Sequence, residues 1–109
     1  MNYFEPNMIA GDRLREMYSI SFSQQQREMF KLLAEYIYRD AITKLSIAVK
    51  NGINDMIEID LSLDYISTLY TFDKSLYNEI GVKREIINLA EREKTKVYPS
   101  MANKIIITF

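Results

Sequence analysis

The feature that most constrains the fold is a long helical segment that begins at Ser23. Ser23 and Gln26 form the pattern of a capping box, in which the Ser oxygen accepts from an orphan N–H and the Gln side chain reaches back. Asn51 and Gly52 end the segment, because glycine tolerates the left-handed conformation that a helix C-cap needs. We therefore predict a helix over residues 24–51. Its apolar face has the spacing of a helix and comprises Phe30, Leu33, Ala34, Ile37, Ala41, Leu45, Ala48 and Val49.

The back of this helix is not fully polar. An apolar arc this wide indicates burial on two sides of the helix. The second cover is either the N-terminal arm or another copy of the protein. The residues that lie beside or away from the main stripe are Met29, Tyr36, Tyr38, Ile42 and Ile47.

The segment after the helix, DMIEIDLS, alternates between apolar and polar residues. It places Ile57, Ile59 and Leu61 on one face of a strand, and this pattern predicts a strand with one solvated face. Ser62 or Asp64 then begins an ambiguous stretch, SLDYISTLYTF. Its β-branched and aromatic content allows a strand, but we favour a short helix because it gives a compact connection.

The last third of the chain contains a further helical pattern and two short strands. The pattern resumes at Leu76, and we expect Gly81 to divide it into two helices. TKVYP predicts a strand that stops at Pro99, SMAN a turn, and KIIITF the partner strand of a hairpin. Alternation puts Ile105, Ile107 and Phe109 on the face that packs against the long helix. We expect Phe109 to be buried and deletion of KIIITF to unfold the domain.

These elements predict an α+β domain, with one long central helix and shorter helices packed on a small sheet of about three strands that ends in a C-terminal β-hairpin. We expect residues 1–109 to form a single domain. Residues 1–22 are an N-terminal arm with a short helix over residues 13–19, and residues 23–52 carry the long helix. Residues 53–109 hold the strand, the other helices and the hairpin.

Composition narrows the chemistry that the chain can perform. There is no cysteine and no histidine, so thiolate nucleophiles, Cys-based zinc sites and the commonest general base are absent. No P-loop, G-x-G-x-x-G or G-x-S-x-G motif occurs. We therefore expect a protein that is not an enzyme and needs no cofactor.

Charge and hydropathy bear on location and partners. The net charge of −1 lacks the basic excess of proteins that grip a phosphate backbone, so polymeric nucleic acid is not an expected partner. The N-terminus does not have the pattern of a secretory signal, and no apolar run reaches the roughly 18 residues of a membrane span. The expected location is the cytoplasm.

Two carboxylates are weak candidates for a metal site. Glu58 and Asp60 share one strand face, about 6–7 Å apart along the strand axis, near enough to share a hard cation. A nuclease site of this type also needs a nearby lysine, and the sequence EID places none there. A solvated strand face is the simpler interpretation.

The tyrosines are candidates for contact with a ligand or partner. They could stack bases while cations meet phosphates, but tyrosine at a domain edge or oligomer interface is the simpler explanation. A small nucleotide held in an oligomer pocket stays as an alternative. The candidate contact residues are Tyr36, Tyr38, Arg39, Tyr65, Tyr70, Tyr98 and Lys96.

The layout of the second half also resembles a known group. A helix ending AITKLSIAVKNG, a strand MIEIDL, a helix REIINLAEREK and a hairpin closing on KIIITF span about residues 40–109. This αβαββ patterning is similar to that of small uncharacterised proteins of phages and large DNA viruses. The resemblance implies a viral accessory or virion protein in the host cytoplasm. Our hypothesis is a homo-oligomeric binding protein that blocks or sequesters a host protein.

Overall fold

The computed structural model describes residues 22–101 and 103–109. The predicted arm and the short helix over residues 13–19 lie outside the described residues. Three α-helices and one antiparallel sheet make up the described part, so the α+β class is confirmed. In chain order they are α1 (Gln24–Lys50), β1 (Met56–Asp60), α2 (Leu63–Leu69), a 3₁₀ turn (Lys74–Leu76), α3 (Glu79–Glu93), β2 (Lys96–Pro99) and β3 (Lys104–Thr108).

The long helix α1 ends within one residue of its predicted end, and its capping box is present. The Gln26 N–H donates to Ser23 Oγ, and the Ser23 N–H donates to Gln26 Oε1, both at 3.0 Å. Gln26 Nε2 also donates to the Leu76 carbonyl at 3.3 Å, which joins the start of α1 to the 3₁₀ turn. The cap therefore fixes both the start of α1 and its position against the second half of the chain.

The sheet has the order β1-β3-β2, and both neighbouring pairs are antiparallel. The predicted strands and the hairpin are confirmed, and the last strand lies in the centre. Ile105 and Ile107 of β3 are buried, as expected. On the same side α1 contacts β1, α3 contacts β2, and the two helices pack on each other. The core therefore lies between two helices and one face of the sheet.

Gly81 does not divide two helices, so that prediction is wrong. The break falls at Tyr77 and Asn78, and Asn78 caps α3 by accepting from the Ile80 and Gly81 N–H groups. Gly81 lies inside α3 for a packing reason. A Cβ built there would be 2.3 Å from Cε2 of the Phe30 ring, so only glycine allows this approach of α3 to α1.

Two predicted core residues are exposed. Phe109 is 53% exposed because the sheet ladder ends one residue earlier, where Thr108 pairs with Met56 and Lys96. Val49 is 44% exposed because it lies in the last turn of α1, at the end of the helix's apolar stripe. Within residues 22–101 and 103–109, no helix combines the length and apolarity needed to cross a bilayer.

Candidate functional site

The most distinctive surface is an aromatic one where α1 and α2 meet. The rings of Tyr36 and Tyr70 stack with centroids 6.2 Å apart and planes inclined by 13°. Tyr65 and Leu69 of α2 lie beside Tyr70 and line the same groove. We call Tyr36, Tyr65, Leu69 and Tyr70 the tyrosine surface. Tyr36 is 52% exposed and Leu69 50%, so large apolar area faces outward here.

A hydrogen bond to α1 fixes Tyr70 in this surface. Its hydroxyl donates to Asp40 Oδ2. Burial, with the Asp40 carboxylate second, raises the pKa of Tyr70 above its usual value. The hydroxyl therefore stays protonated at neutral pH and keeps its bond to Asp40, which positions the ring against Tyr36.

Tyr38 and Arg39 do not join the tyrosine surface. Tyr38 is fully buried, and its hydroxyl is 2.7 Å from Thr95 Oγ1, so it belongs to the core rather than to a contact site. Arg39 contacts Glu35 at 3.2 Å and Glu93 at 2.7 Å. The hydrogen bond to Glu93 raises the pKa of Arg39, so its charge is permanent but already paired.

Tyr98 and Lys96 lie on a different part of the molecule. They point to the face of the sheet away from the helices, where Tyr98 pairs with Ile106 and Lys96 with Thr108. The sheet separates them from Tyr36. Of the seven predicted contact residues, the structure therefore brings together Tyr36, Tyr65 and Tyr70 alone.

The metal candidates Glu58 and Asp60 lie on that same open face, and the structure brings a lysine to them. Lys104 of β3 is the direct partner of Asp60, and its Nζ is 3.9 Å from Glu58 Oε1. The Ser100 hydroxyl donates to Glu58 Oε2 at 2.6 Å. The Ser62 N–H donates to Asp60 and lowers the pKa of that carboxyl.

This strand face carries two carboxylates, those of Glu58 and Asp60. No group of three or more potential protein ligands occurs among the described residues. Lys104 could not be identified from the sequence around Glu58, because it belongs to a strand more than forty residues away. Glu58 and Asp60 lie on a strand face held by an ion pair and hydrogen bonds, with Lys104 beside both carboxylates.

A second apolar area lies at the end of the fold where α1 finishes, β1 begins and β3 finishes. Val49 and Ile53 line one recess there, and Thr108 Oγ1 donates to the Asp55 carbonyl nearby. Ile53 is 76% exposed. We give the name apolar end to the four exposed apolar residues at this end of the fold, which are Val49, Ile53, Met56 and Phe109. This area was not predicted from the sequence, in which Ile53 in a turn beside Gly52 was the available signal.

Comparison with known proteins adds no family to this description. No protein-family model, curated protein or solved structure matches the chain. We therefore infer function from the exposed surfaces: the tyrosine surface, the apolar end, and the open face of the sheet, where Lys104 pairs with Glu58.

Proposed function

We propose that this protein acts by binding other proteins and itself, without catalysis. The observation that carries this proposal is the tyrosine surface. A stacked tyrosine pair, with Tyr70 hydrogen-bonded to Asp40, presents apolar area to solvent, and tyrosine gives contact area at little cost in conformational entropy. Exposed apolar patches with a polar rim mark protein interaction sites.

The apolar end supports self-association. Ile53 and Phe109 are more than half exposed, and Val49 and Met56 lie at the same end of the fold. Homo-oligomers most often use one patch that meets its own copy across a two-fold axis. Self-association through the apolar end leaves the tyrosine surface available for a second protein.

The αβαββ layout gives this proposal a biological setting. If the chain is a viral accessory protein, the second protein is a host factor that it blocks or sequesters, and the site of action is the host cytoplasm. Binding without catalysis also fits the amino-acid composition, which contains neither histidine nor cysteine.

Binding of a small nucleotide is less well supported. The groove beside the tyrosine surface contains the carboxylates of Asp40 and Glu58, and Lys44 is its single cation among the described residues. Arg39, the expected phosphate ligand, is paired with Glu93. A phosphate group would therefore meet more negative than positive charge there.

The self-association proposal is tested by placing a charge in the apolar end. We expect the full chain to sediment as a dimer or larger species at micromolar concentration, and Ile53→Lys to shift it towards monomer. Leu32→Lys is the matched control, because Leu32 is an apolar residue on α1 that is more than half exposed and lies outside the apolar end. Sedimentation velocity over a range of concentrations measures both. Equal masses for wild type and Ile53→Lys would contradict the proposed interface.

A further inference from the structure

The two edges of the sheet differ in how well they can accept another strand. At the β2 edge, the Ser100 N–H donates to the Lys104 carbonyl at 3.0 Å. Because main-chain groups alternate along a strand, Val97 and Pro99 then direct theirs away from β3. Pro99 has no N–H, and Lys96 adds a charge beside it. Proline and lysine are common protections of an edge strand, so this edge is closed to a further strand.

The β1 edge has neither a proline nor a lysine within Met56–Asp60. The Leu61 N–H donates to the Asn103 carbonyl at 2.9 Å and continues the register of β1 with β3. By the same alternation, the main-chain groups of Met56, Glu58 and Asp60 point away from β3. In the described part of the chain, no hydrogen bond reaches these outward groups. They form a ladder of donors and acceptors that an extended chain can pair with.

A groove runs along this edge on the side of the helices. Three consecutive β1 residues, 57–59, line it together with α1 and α2, so the edge of β1 forms one side of the groove. The tyrosine surface forms its outer wall through Tyr65, Leu69 and Tyr70. The recess is about 50 Å³, and Ile37, Ala41 and Ile66 also line it, so it suits a small aliphatic side chain.

The charges near the edge are mainly negative. On the open face, Glu58 and Asp60 share the single ammonium group of Lys104. Side chains of a neighbouring strand lie about 5 Å from those directly opposite. A basic side chain on an added strand would therefore stand beside Glu58. Among the described residues, the groove is lined by the carboxylates of Asp40 and Glu58 and the ammonium group of Lys44, and Asp60 lies opposite Lys104 on the open face.

We propose that the outer edge of β1 binds an extended segment of a partner protein as a fourth strand, and that this segment alternates aliphatic and basic residues. Its aliphatic side chains enter the groove beside the tyrosine surface, and its Lys or Arg side chains face Glu58 and Asp60. The proposal rests on the proposed function and names its binding mode: main-chain hydrogen bonds give affinity, and the alternation gives specificity.

The test uses the full chain and a synthetic probe, an end-blocked peptide of four Lys-Val repeats. Titration followed by amide NMR is expected to shift the Met56, Glu58 and Asp60 amides and to protect them from hydrogen exchange. A peptide of four Glu-Val repeats is the matched control and is expected to bind at least about tenfold more weakly. Glu58→Lys should reverse this preference.

Main-chain pairing is tested separately from charge. Two N-methylated peptides are compared, one methylated at every Lys and the other at every Val. Because only alternate N–H groups of an added strand face β1, one of these peptides should lose binding and the other should keep it. In the protein, Met56→Pro removes one outward N–H without changing the charge of the edge, and Val97→Pro is the control on the β2 edge. Only Met56→Pro should weaken binding. The peptide series gives the answer even if a proline variant does not fold.

The outcomes separate this inference from the proposed function. The inference is overturned if the Lys-Val peptide does not bind, if it shifts only β2 amides, or if the two N-methylated peptides bind equally well. Any of these results with the oligomeric mass intact leaves self-association standing. A monomeric chain that still binds the Lys-Val peptide at β1 would overturn self-association and keep the edge site.

Discussion

At the residue scale, the position of Gly81 shows how a neighbour in space determines residue choice. Glycine in a helix interior is usually a cost of about 1 kcal/mol against alanine. Here the Phe30 ring occupies the space where a Cβ would lie. Phe30 is fully buried, and its ring packs edge-to-face on Phe22 with centroids 4.8 Å apart. A glycine that breaks a helix and a glycine that allows close packing look the same in the sequence. Only the position of the neighbouring helix α1 distinguishes them.

We expect Gly81→Ala to destabilise the protein by about 1–3 kcal/mol, because overpacking against Phe30 exceeds the gain in helix propensity. Asn88→Ala, at an exposed position of α3, is the control and should change stability by less than about 0.5 kcal/mol. Urea unfolding followed by circular dichroism measures both. A Gly81→Ala protein as stable as wild type would mean that α1 and α3 are not packed as closely as described.

Because of Tyr77, the free energy of unfolding is expected to fall as the pH becomes alkaline. Its hydroxyl donates to the Leu61 carbonyl at 2.6 Å. Burial, followed by Glu79 and Asp60, raises its pKa above the unfolded value of about 10. A raised folded pKa means that this stabilisation is complete below pH 10 and is lost as pH rises through the folded pKa.

We expect Tyr77→Phe to lower the free energy of unfolding at pH 7 by about 1 kcal/mol, through loss of the hydrogen bond to Leu61. Above pH 10 the difference between wild type and variant should shrink. Tyr98→Phe removes an exposed hydroxyl and serves as the control. Denaturant unfolding at a series of pH values measures the difference. A gap that stays constant from pH 7 to pH 12 would contradict the assignment.

At the scale of elements, the sequence predicted those whose signals are local. The capping box and the apolar repeat define α1, and strict alternation defines β1. Both signals depend on residues within one element, so they survive without knowledge of the fold. The short helix after Ser62 was also predicted, and its N-cap is present, where Ser62 Oγ accepts from the Tyr65 N–H.

What the sequence could not predict depends on contacts between distant elements. The burial of Tyr38 needs Thr95, which follows α3, and the pairing of Tyr36 with Tyr70 needs the position of α2 against α1. Lys104 lies beside Glu58 and Asp60 only because of the register of β3 with β1. Three candidate contact residues therefore fell into one surface, while the others were dispersed through the fold.

The central place of β3 leads to a prediction about truncation. Removal of residues 104–109 takes away the strand that joins β1 to β2, together with the buried Ile105 and Ile107, so we expect the protein to unfold. Removal of Phe109 alone should leave the fold intact, because that residue lies beyond the ladder. Circular dichroism and thermal unfolding distinguish the two. A folded chain without residues 104–109 would contradict the described sheet.

At the scale of the whole molecule, the tyrosine surface and the apolar end lie in different places. The apolar end lies where α1 and β3 finish, and the tyrosine surface lies along α1, α2 and the edge of β1. The charged open face is internally paired through Lys104 and Glu58. In our proposal, Ile53 and Phe109 meet a second copy, while the tyrosine surface and the edge of β1 meet a partner protein.

The measurement that tests this account most directly is the native mass of the purified full chain at micromolar concentration, by light scattering and native mass spectrometry. We predict a mass that is a multiple of the 12.9 kDa chain, with any protein bound at the tyrosine surface seen as additional mass. A single species of 12.9 kDa, unchanged by concentration, would contradict the central claim that the exposed apolar surfaces serve association.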